Sequence, residues 1–281
     1  MYFAMEYPGL ENIDRLKEIH DQSEKWHFIY NLTSEFGFTG IQFFPAYEKE
    51  FGLSFQNIPK FISKSFRLTY HAGDTGISQL ITPDEIEKAD VMFSTSLRTA
   101  SLAGTEDVSF HPPLIADIAL LPVSPEQVSP VNTSQTKENL RKLINKWIPQ
   151  FNTHNITLSM ETHMTPHVFI FSGLTDFHEF VSSIPGLGIL VDVSHNHFDG
   201  NEIDNVIQTL KPLGITGFHL SDAIRGKKLA DGTHLPVGEG QIDFGSIVAS
   251  FRNKDTVYGA LEVRGAARWI TDSLAFLKTL A

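Results

Sequence analysis

Short apolar runs alternate along this chain with segments whose apolar residues recur every three or four positions. The runs YFAM (2–5), GIQFF (40–44), RLTY (67–70), VSF (108–110), ITLSM (156–160), GILVD (188–192), TGFHL (216–220) and VYGALEV (257–263) carry the β-branched and aromatic residues that strands favour. Between them, Leu16, Ile19 and Trp26 recur near helical spacing within a helical segment over 14–36. Thr82-Pro83-Asp84-Glu85 reads as a capping box with proline in the first helical turn, and a further helix starts near Asn132. After Ala266, residues Ile270, Leu274 and Leu277 give the last helix one apolar face. Strand and helix alternate to the end with no linker and no break in composition. The pattern predicts one α/β domain over 1–281, a single (β/α)8 TIM barrel of parallel strands.

The polar positions supply the candidate chemistry. Apolar runs close on His71, His111, Glu161, Asp192, His219, His234 and Glu262, all residue types that bind metals. In a parallel barrel, side chains from the carboxyl ends of different strands meet over the mouth, so these residues are expected to converge. The sequence DVSH lets a strand end and the turn after it present Asp192 and His195 to one ion. Of the 12 histidines, His20, His27, His154, His167 and His178 fall in apparent helices or connections, where a surface or capping role is expected. His163 and His197 each lie two residues beyond a proposed ligand and are given no metal role. Gathered in a poorly solvated mouth, Glu161, Asp192, Asp231 and Glu262 would repel one another unless cations neutralise them. The metal-free alternative keeps some of them protonated as general acid–base pairs.

The chain has no cysteine, so any metal is held by nitrogen and oxygen alone. The N-terminus lacks a basic start followed by a long apolar stretch, and no run approaches the roughly 20 apolar residues of a membrane span, so a cytoplasmic, soluble protein is expected. A formal net charge of −11 disfavours a broad grip on nucleic acid. Prolines 112, 113, 122, 125 and 130 interrupt the stretch after His111, which reads either as a lid or as a stiff structural excursion. Gly238-Glu239-Gly240 lacks the features of a phosphate loop and reads as a tight turn at the rim. Arg225, Lys227 and Lys228 could receive a phosphate or form a solvated basic loop.

HLSDAIRGKKLADGTHLPVGEGQIDF (219–244) and GILVDVSH (188–195) resemble the xylose isomerase-like barrels, which join sugar isomerases and epimerases of the tagatose 3-epimerase type to endonuclease IV. The resemblance extends over nearly the whole chain. Its epimerase side implies one metal on Glu161, Asp192, His219 and Glu262, with the two glutamates exchanging protons and His195 and Arg225 holding substrate oxygens. Its endonuclease IV side implies a trinuclear zinc cluster on His71, His111, Glu161, Asp192, His195, His219, Asp231, His234 and Glu262. Two departures mark this chain: Asp231 is separated from His234 by two residues rather than one, and the first motif is HAGDTG.

The leading expectation is a metal-dependent isomerase or epimerase of a small sugar, keto acid or sugar phosphate, acting through an enediolate with one to three Zn, Mn or Fe ions. The alternatives are an endonuclease IV-like zinc phosphodiesterase and a barrel that binds metal or sugar without turnover. One dication among Glu161, Asp192 and Glu262 leaves a charge of about −1, suited to a neutral sugar, whereas three among four carboxylates leave about +2, suited to a phosphate. A small-molecule partner is expected, with no membrane and no nucleic acid; a homo-oligomer is compatible with the chain.

Overall fold

The computed structural model describes residues 1–55, 58–72, 80–115, 132–164, 168–252 and 254–281. All eight expected strands form: β1 (Tyr2–Met5), β2 (Gly40–Phe43), β3 (Arg67–His71), β4 (Asp107–Phe110), β5 (Thr157–Glu161), β6 (Gly188–Asp192), β7 (Ile215–Leu220) and β8 (Tyr258–Leu261). Each pairs in parallel with its neighbour in sequence, and β8 returns to β1 through Phe3↔Gly259 and Met5↔Leu261, closing a (β/α)8 TIM barrel. Around it lie α1 (Leu10–Glu18), α2 (Gln22–Phe36), α3 (Ala46–Lys49), α4 (Lys60–Ser65), α5 (Pro83–Ala103), α6 (Thr133–Thr153), α7 (Leu174–Ser182), α8 (Val193–Phe198), α9 (Ile203–Leu210), α10 (Leu229–Gly232), α11 (Phe244–Phe251) and α12 (Ala267–Leu280). No helix among the described residues is long and apolar enough to cross a membrane.

Local chemistry sets the helix ends. Thr82 and Glu85 complete the expected capping box at α5, each side chain satisfying the other's backbone N–H. The segment 14–36, read as one helical stretch, is two helices. Asp21 is extended and its carboxylate accepts from the Glu24 amide, starting α2 afresh after α1 has ended. The proline-rich stretch read as a lid or excursion falls largely on residues 116–131, outside the described residues, as do His167 and most of the HAGDTG motif.

Side chains two apart on a strand share a face, and this period sorts the barrel wall. Phe3, Ile41, Val108, Leu158, Val191 and Phe218 belong to the large apolar cluster that also holds the helix residues Trp26, Phe93, Ile144 and Leu274. The alternate positions are polar in one sector: Thr69 and His71, then Asp107, Ser109 and His111, then Ser159, Glu161 and His163. This polar wall leads from the floor of the barrel to its mouth.

At the floor, the buried Asp107 carboxylate accepts from the Ser159 hydroxyl and, at 3.0 Å, from the Tyr258 phenol. The Ser159 hydroxyl also meets Thr216, the residue that the β6–β7 register steps over between Ile189↔Ile215 and Leu190↔Gly217. Burial pushes the Asp107 carboxyl up to about 6 from 3.8, against the pull of its hydrogen bonds. The folded protein therefore binds this proton more tightly than the unfolded chain. The resulting stability is present below about pH 4 and is lost as pH rises through about 6, a change of roughly 3 kcal/mol. Asp107→Asn mimics the neutral acid and should gain stability relative to the native protein by about that amount between pH 4 and 7. Urea unfolding at both pH values measures the difference, and parallel pH profiles for the two proteins would contradict it.

Candidate metal centre

Glu161, at the end of β5 and 1% exposed, is the hub of the barrel mouth. Its Oε2 faces His71 Nε2 at 2.8 Å and His111 Nε2 at 3.0 Å. Its Oε1 faces His219 Nδ1 at 2.9 Å and His163 Nε2 at 3.2 Å. His219, near the end of β7, also approaches Glu262 Oε2 at 3.3 Å and Asp192 Oδ2 at 3.9 Å, while its Nε2 lies 2.9 Å from Gln42 Oε1. Glu161, Asp192, His219 and Glu262 thus offer one donor atom each within 4.8 Å of one another.

Further imidazoles extend the cluster around the rim. Ring centroids lie 5.1 Å apart for His219 and His71, 4.7 Å for His71 and His111, and 4.5 Å for His111 and His163. The arc continues over 4.5 Å to His195 and 5.1 Å to His234. The sequence between strands explains two of these positions. Asp192 caps α8 by accepting the His195 amide at 2.7 Å, which places His195 one turn beyond the strand. His234 has a φ of 56°, a left-handed backbone that is costly for a non-glycine residue, in a segment whose Leu235 is bridged to Asp222.

The electrostatics are those of crowded carboxylates. Burial, reinforced by Glu262 and Glu161, pushes Asp192 well above the carboxylate range. Burial acts on Glu161 in the same direction, but His219, His111 and His163 hold it well below that range. His219 is raised well above its usual value despite burial, by Glu161, Glu6 and Glu262. Burial lowers His163 to about 3 and His234 to about 4, and lowers His195 as well, so these three rings are neutral at pH 7 with lone pairs to offer.

A model of the xylose isomerase-like TIM barrel family matches residues 30–280. The chain belongs to this family. Similar solved structures include a D-tagatose 3-epimerase-like protein, 17% identical with a TM-score of 0.72 over 100% of this chain and 97% of the other. A 3-keto-D-glucoside 4-epimerase from E. coli is 15% identical with a TM-score of 0.72 over 99% of each chain. The IOLI protein, solved with a bound zinc atom, is 12% identical with a TM-score of 0.69 over 100% of this chain and 96% of its own. No curated protein matches the sequence.

On this family barrel, His71, His111, Glu161, Asp192, His195, His219, His234 and Glu262 all come to the mouth. Asp231 and Arg225 lie elsewhere. Asp231 is exposed on the short helix α10 and joins none of the ligand groups found among the described residues. Arg225 donates to the carbonyls of His197 at 2.8 Å and Asn201 at 3.0 Å and pairs with Glu202, tying down the α8–α9 connection. Lys227 and Lys228 are exposed beside it. The Gly238-Glu239-Gly240 turn wraps the buried Asp222 carboxylate, which accepts from the Gly238 amide at 3.0 Å and the Gly240 amide at 2.8 Å. A Cβ at Gly240 would lie 2.2 Å from Asp222 Oδ1, so glycine is required by close approach.

Three residues at the mouth were not singled out as site residues by the sequence reading: His163, Glu6 and Gln42. His163 and Glu6 lie two residues beyond an inward position, Glu161 and Ala4, and the strand period was the available signal. Glu6 is buried, 3.9 Å from His219 Nε2, and burial with the charge of Glu262 pushes it up to about 8. The four-residue group fits a divalent cation. Asp192 Oδ2 is buried without a hydrogen-bond partner among the described residues, next to two further carboxylates and an imidazole, a donor set that Zn, Mn and Fe accept.

Proposed function

We propose that the chain is a metal-dependent isomerase or epimerase acting on a small sugar, keto acid or sugar phosphate through an enediolate, with Glu161, Asp192, His219 and Glu262 as the residues that hold the metal. The observation that carries this reading is the contrast between the two glutamates. Both face His219 Nδ1, yet Glu161 is enclosed by four imidazoles while Glu262 lines a cavity of about 330 Å³ at the barrel mouth, together with Tyr7, Phe44 and Arg264. A divalent ion here supplies Lewis-acid polarisation of a carbonyl and its neighbouring hydroxyl.

Glu262 reaches the cavity and is the group that takes the proton between those two oxygens. Arg264 Nη2 donates to Glu262 Oε1 at 3.1 Å and orients its carboxylate, while His234 Nδ1 lies 3.3 Å from the Glu262 carbonyl. Burial would raise Glu262, but the cationic His219 and Arg264 beside it hold it below the usual carboxylate range, so it is ionised and ready to accept. In isomerisation this carboxylate returns the carbon-bound proton to the neighbouring carbon while the hydroxyl proton passes between the two oxygens, so the carbon step needs no second carboxylate. Epimerisation also needs a donor on the opposite face, the role the family resemblance implies for Glu161; its enclosure by four imidazoles, which keep it ionised, favours isomerisation. The aromatic rings of Tyr7 and Phe44 give a sugar's C–H faces an apolar wall.

The sugar-epimerase neighbours and the zinc bound in the IOLI structure support this reading, although a barrel alone does not fix a reaction. The zinc phosphodiesterase alternative would use Asp231, and the exposure of that residue places it second. We read the protein as a cytoplasmic enzyme of small molecules. On incubation in deuterium oxide with a panel of keto sugars, their phosphates and related keto acids, the metal-loaded protein should exchange the proton beside the carbonyl of at least one compound. Proton NMR detects the exchange before any product is identified. A metal-loaded protein that exchanges none of the panel would rule this reaction class out.

A further inference from the structure

We propose that Gln42, on β2, is a positioning residue: its amide oxygen holds the proton of His219 on Nε2 and so turns Nδ1, as the free nitrogen of the ring, toward Glu161, Asp192 and Glu262. This role rests on those three carboxylates and His219 being the residues that hold the metal. It adds a residue to which neither the strand-end pattern nor the family resemblance gives any part. Ile41 and Phe43, on either side of Gln42, belong to the apolar cluster shared with the helices, so the Gln42 side chain enters the barrel, where it is fully buried. An amide in such a place is costly unless its oxygen and its nitrogen both find partners.

The partners come from two other strands, and the floor of the barrel decides which end of the amide meets which. Gln42 Oε1 lies 2.9 Å from His219 Nε2, and Gln42 Nε2 lies 3.5 Å from the Tyr258 phenol oxygen, a long contact. Tyr258 donates its hydroxyl proton to Asp107 Oδ1 at 3.0 Å, which leaves the phenol oxygen able only to accept. The Gln42 atom turned toward it is therefore the NH₂ group, and the carbonyl oxygen is left for His219. An oxygen accepts, so the His219 proton on that side sits on Nε2.

His219 Nδ1, 2.9 Å from Glu161 Oε1 and 3.3 Å from Glu262 Oε2, is then the nitrogen whose lone pair serves a cation. The other acceptor near Nε2 is Glu6 Oε2, which at 3.9 Å lies outside hydrogen-bond reach. A neutral amide, not a carboxylate, thus orients this imidazole. Partners of this kind fix the tautomer and the ring plane of a ligating histidine, and their loss costs about 10–100-fold in metal affinity.

Metal affinity and metal spectra of the full chain test the role. Chelator-stripped native protein, Gln42→Leu and Gln42→Glu are titrated with zinc against a chromogenic chelator, and with cobalt(II) followed by its visible d–d bands. Gln42→Leu should bind zinc about 10–100-fold more weakly and shift the cobalt bands. Gln42→Glu keeps an acceptor oxygen at the same reach and should restore native or tighter binding with native-like bands. A merely structural role would lower the stability of the stripped and loaded proteins alike and leave the bands where they are. Histidine-¹⁵N NMR of the zinc-loaded native protein reads the tautomer without touching Gln42: the His219 signal, identified by its loss in His219→Gln, should show the proton on Nε2. Native zinc affinity and cobalt bands in a folded Gln42→Leu variant, or a His219 proton on Nδ1, overturns the role of Gln42 and leaves the metal centre intact. A native protein that binds neither zinc nor cobalt overturns both.

Discussion

Glu262→Gln should reduce turnover and substrate proton exchange by about 10²–10⁴-fold while the far-UV circular dichroism stays unchanged, because the amide cannot accept the proton that the carboxylate takes. The side chain keeps its size and one oxygen, so the backbone of β8 has no reason to move. Glu161→Gln should be at least as severe. Its carboxylate meets His71, His111, His163 and His219 at 2.8–3.2 Å, and an amide NH₂ in its place would point a donor at nitrogens that now converge on an anion. The two variants separate in their metal content. Glu161 is the hub of the cluster, so its variant should lose bound metal, whereas the Glu262 variant retains three of the four donors and should hold metal more weakly. Exchange kinetics with elemental analysis on the same samples decides the matter. Native-like turnover in the Glu262 variant would refute its role.

Removing the metal should have the second large effect. An ion that binds only the folded state stabilises it by about 4 kcal/mol when present at roughly a thousand times its dissociation constant. For a chain of 281 residues that corresponds to a rise in Tm of roughly 7 °C. The apo protein is also the state in which Asp192 is raised well above the carboxylate range by burial and by Glu262 and Glu161, so protonation competes with the ion. Chelation should therefore lower Tm, abolish proton exchange, and be reversed by adding Mn, Zn or Fe salts. Differential scanning calorimetry with and without metal measures the shift. Identical melting and undiminished exchange after complete stripping would mean that the carboxylates act as paired acids without an ion.

The same physics separates what could be read from the chain and what could not. The strands were legible because a barrel wall needs β-branched and aromatic residues in short runs, and each run from YFAM to VYGALEV became a strand within a residue or two of its expected ends. The α5 start was legible because a capping box is a local exchange of hydrogen bonds between Thr82 and Glu85. The break between α1 and α2 was carried by Asp21, a capping residue that apolar spacing alone passes over.

Site residues on strands followed the same logic. His71, Glu161, Asp192 and His219 sit at strand ends, where the period of two fixes the face and the parallel barrel brings the ends together. That period also held His163 and Glu6, two residues beyond inward positions, so their place at the mouth was in the sequence without being drawn from it. Asp231 and Arg225 belong to the β7–β8 connection, where no period fixes direction. Asp231 lies on the four-residue helix α10 and turns to solvent, while Arg225 is drawn to the carbonyls of His197 and Asn201. Sequence alone determined the barrel, the strand-end donors and the absence of thiolate ligands. Tertiary structure alone decided which loop side chains reach the mouth, because a loop's course is set by contacts such as the Asp222 carboxylate gathering the Gly238 and Gly240 amides, between residues far apart in the chain.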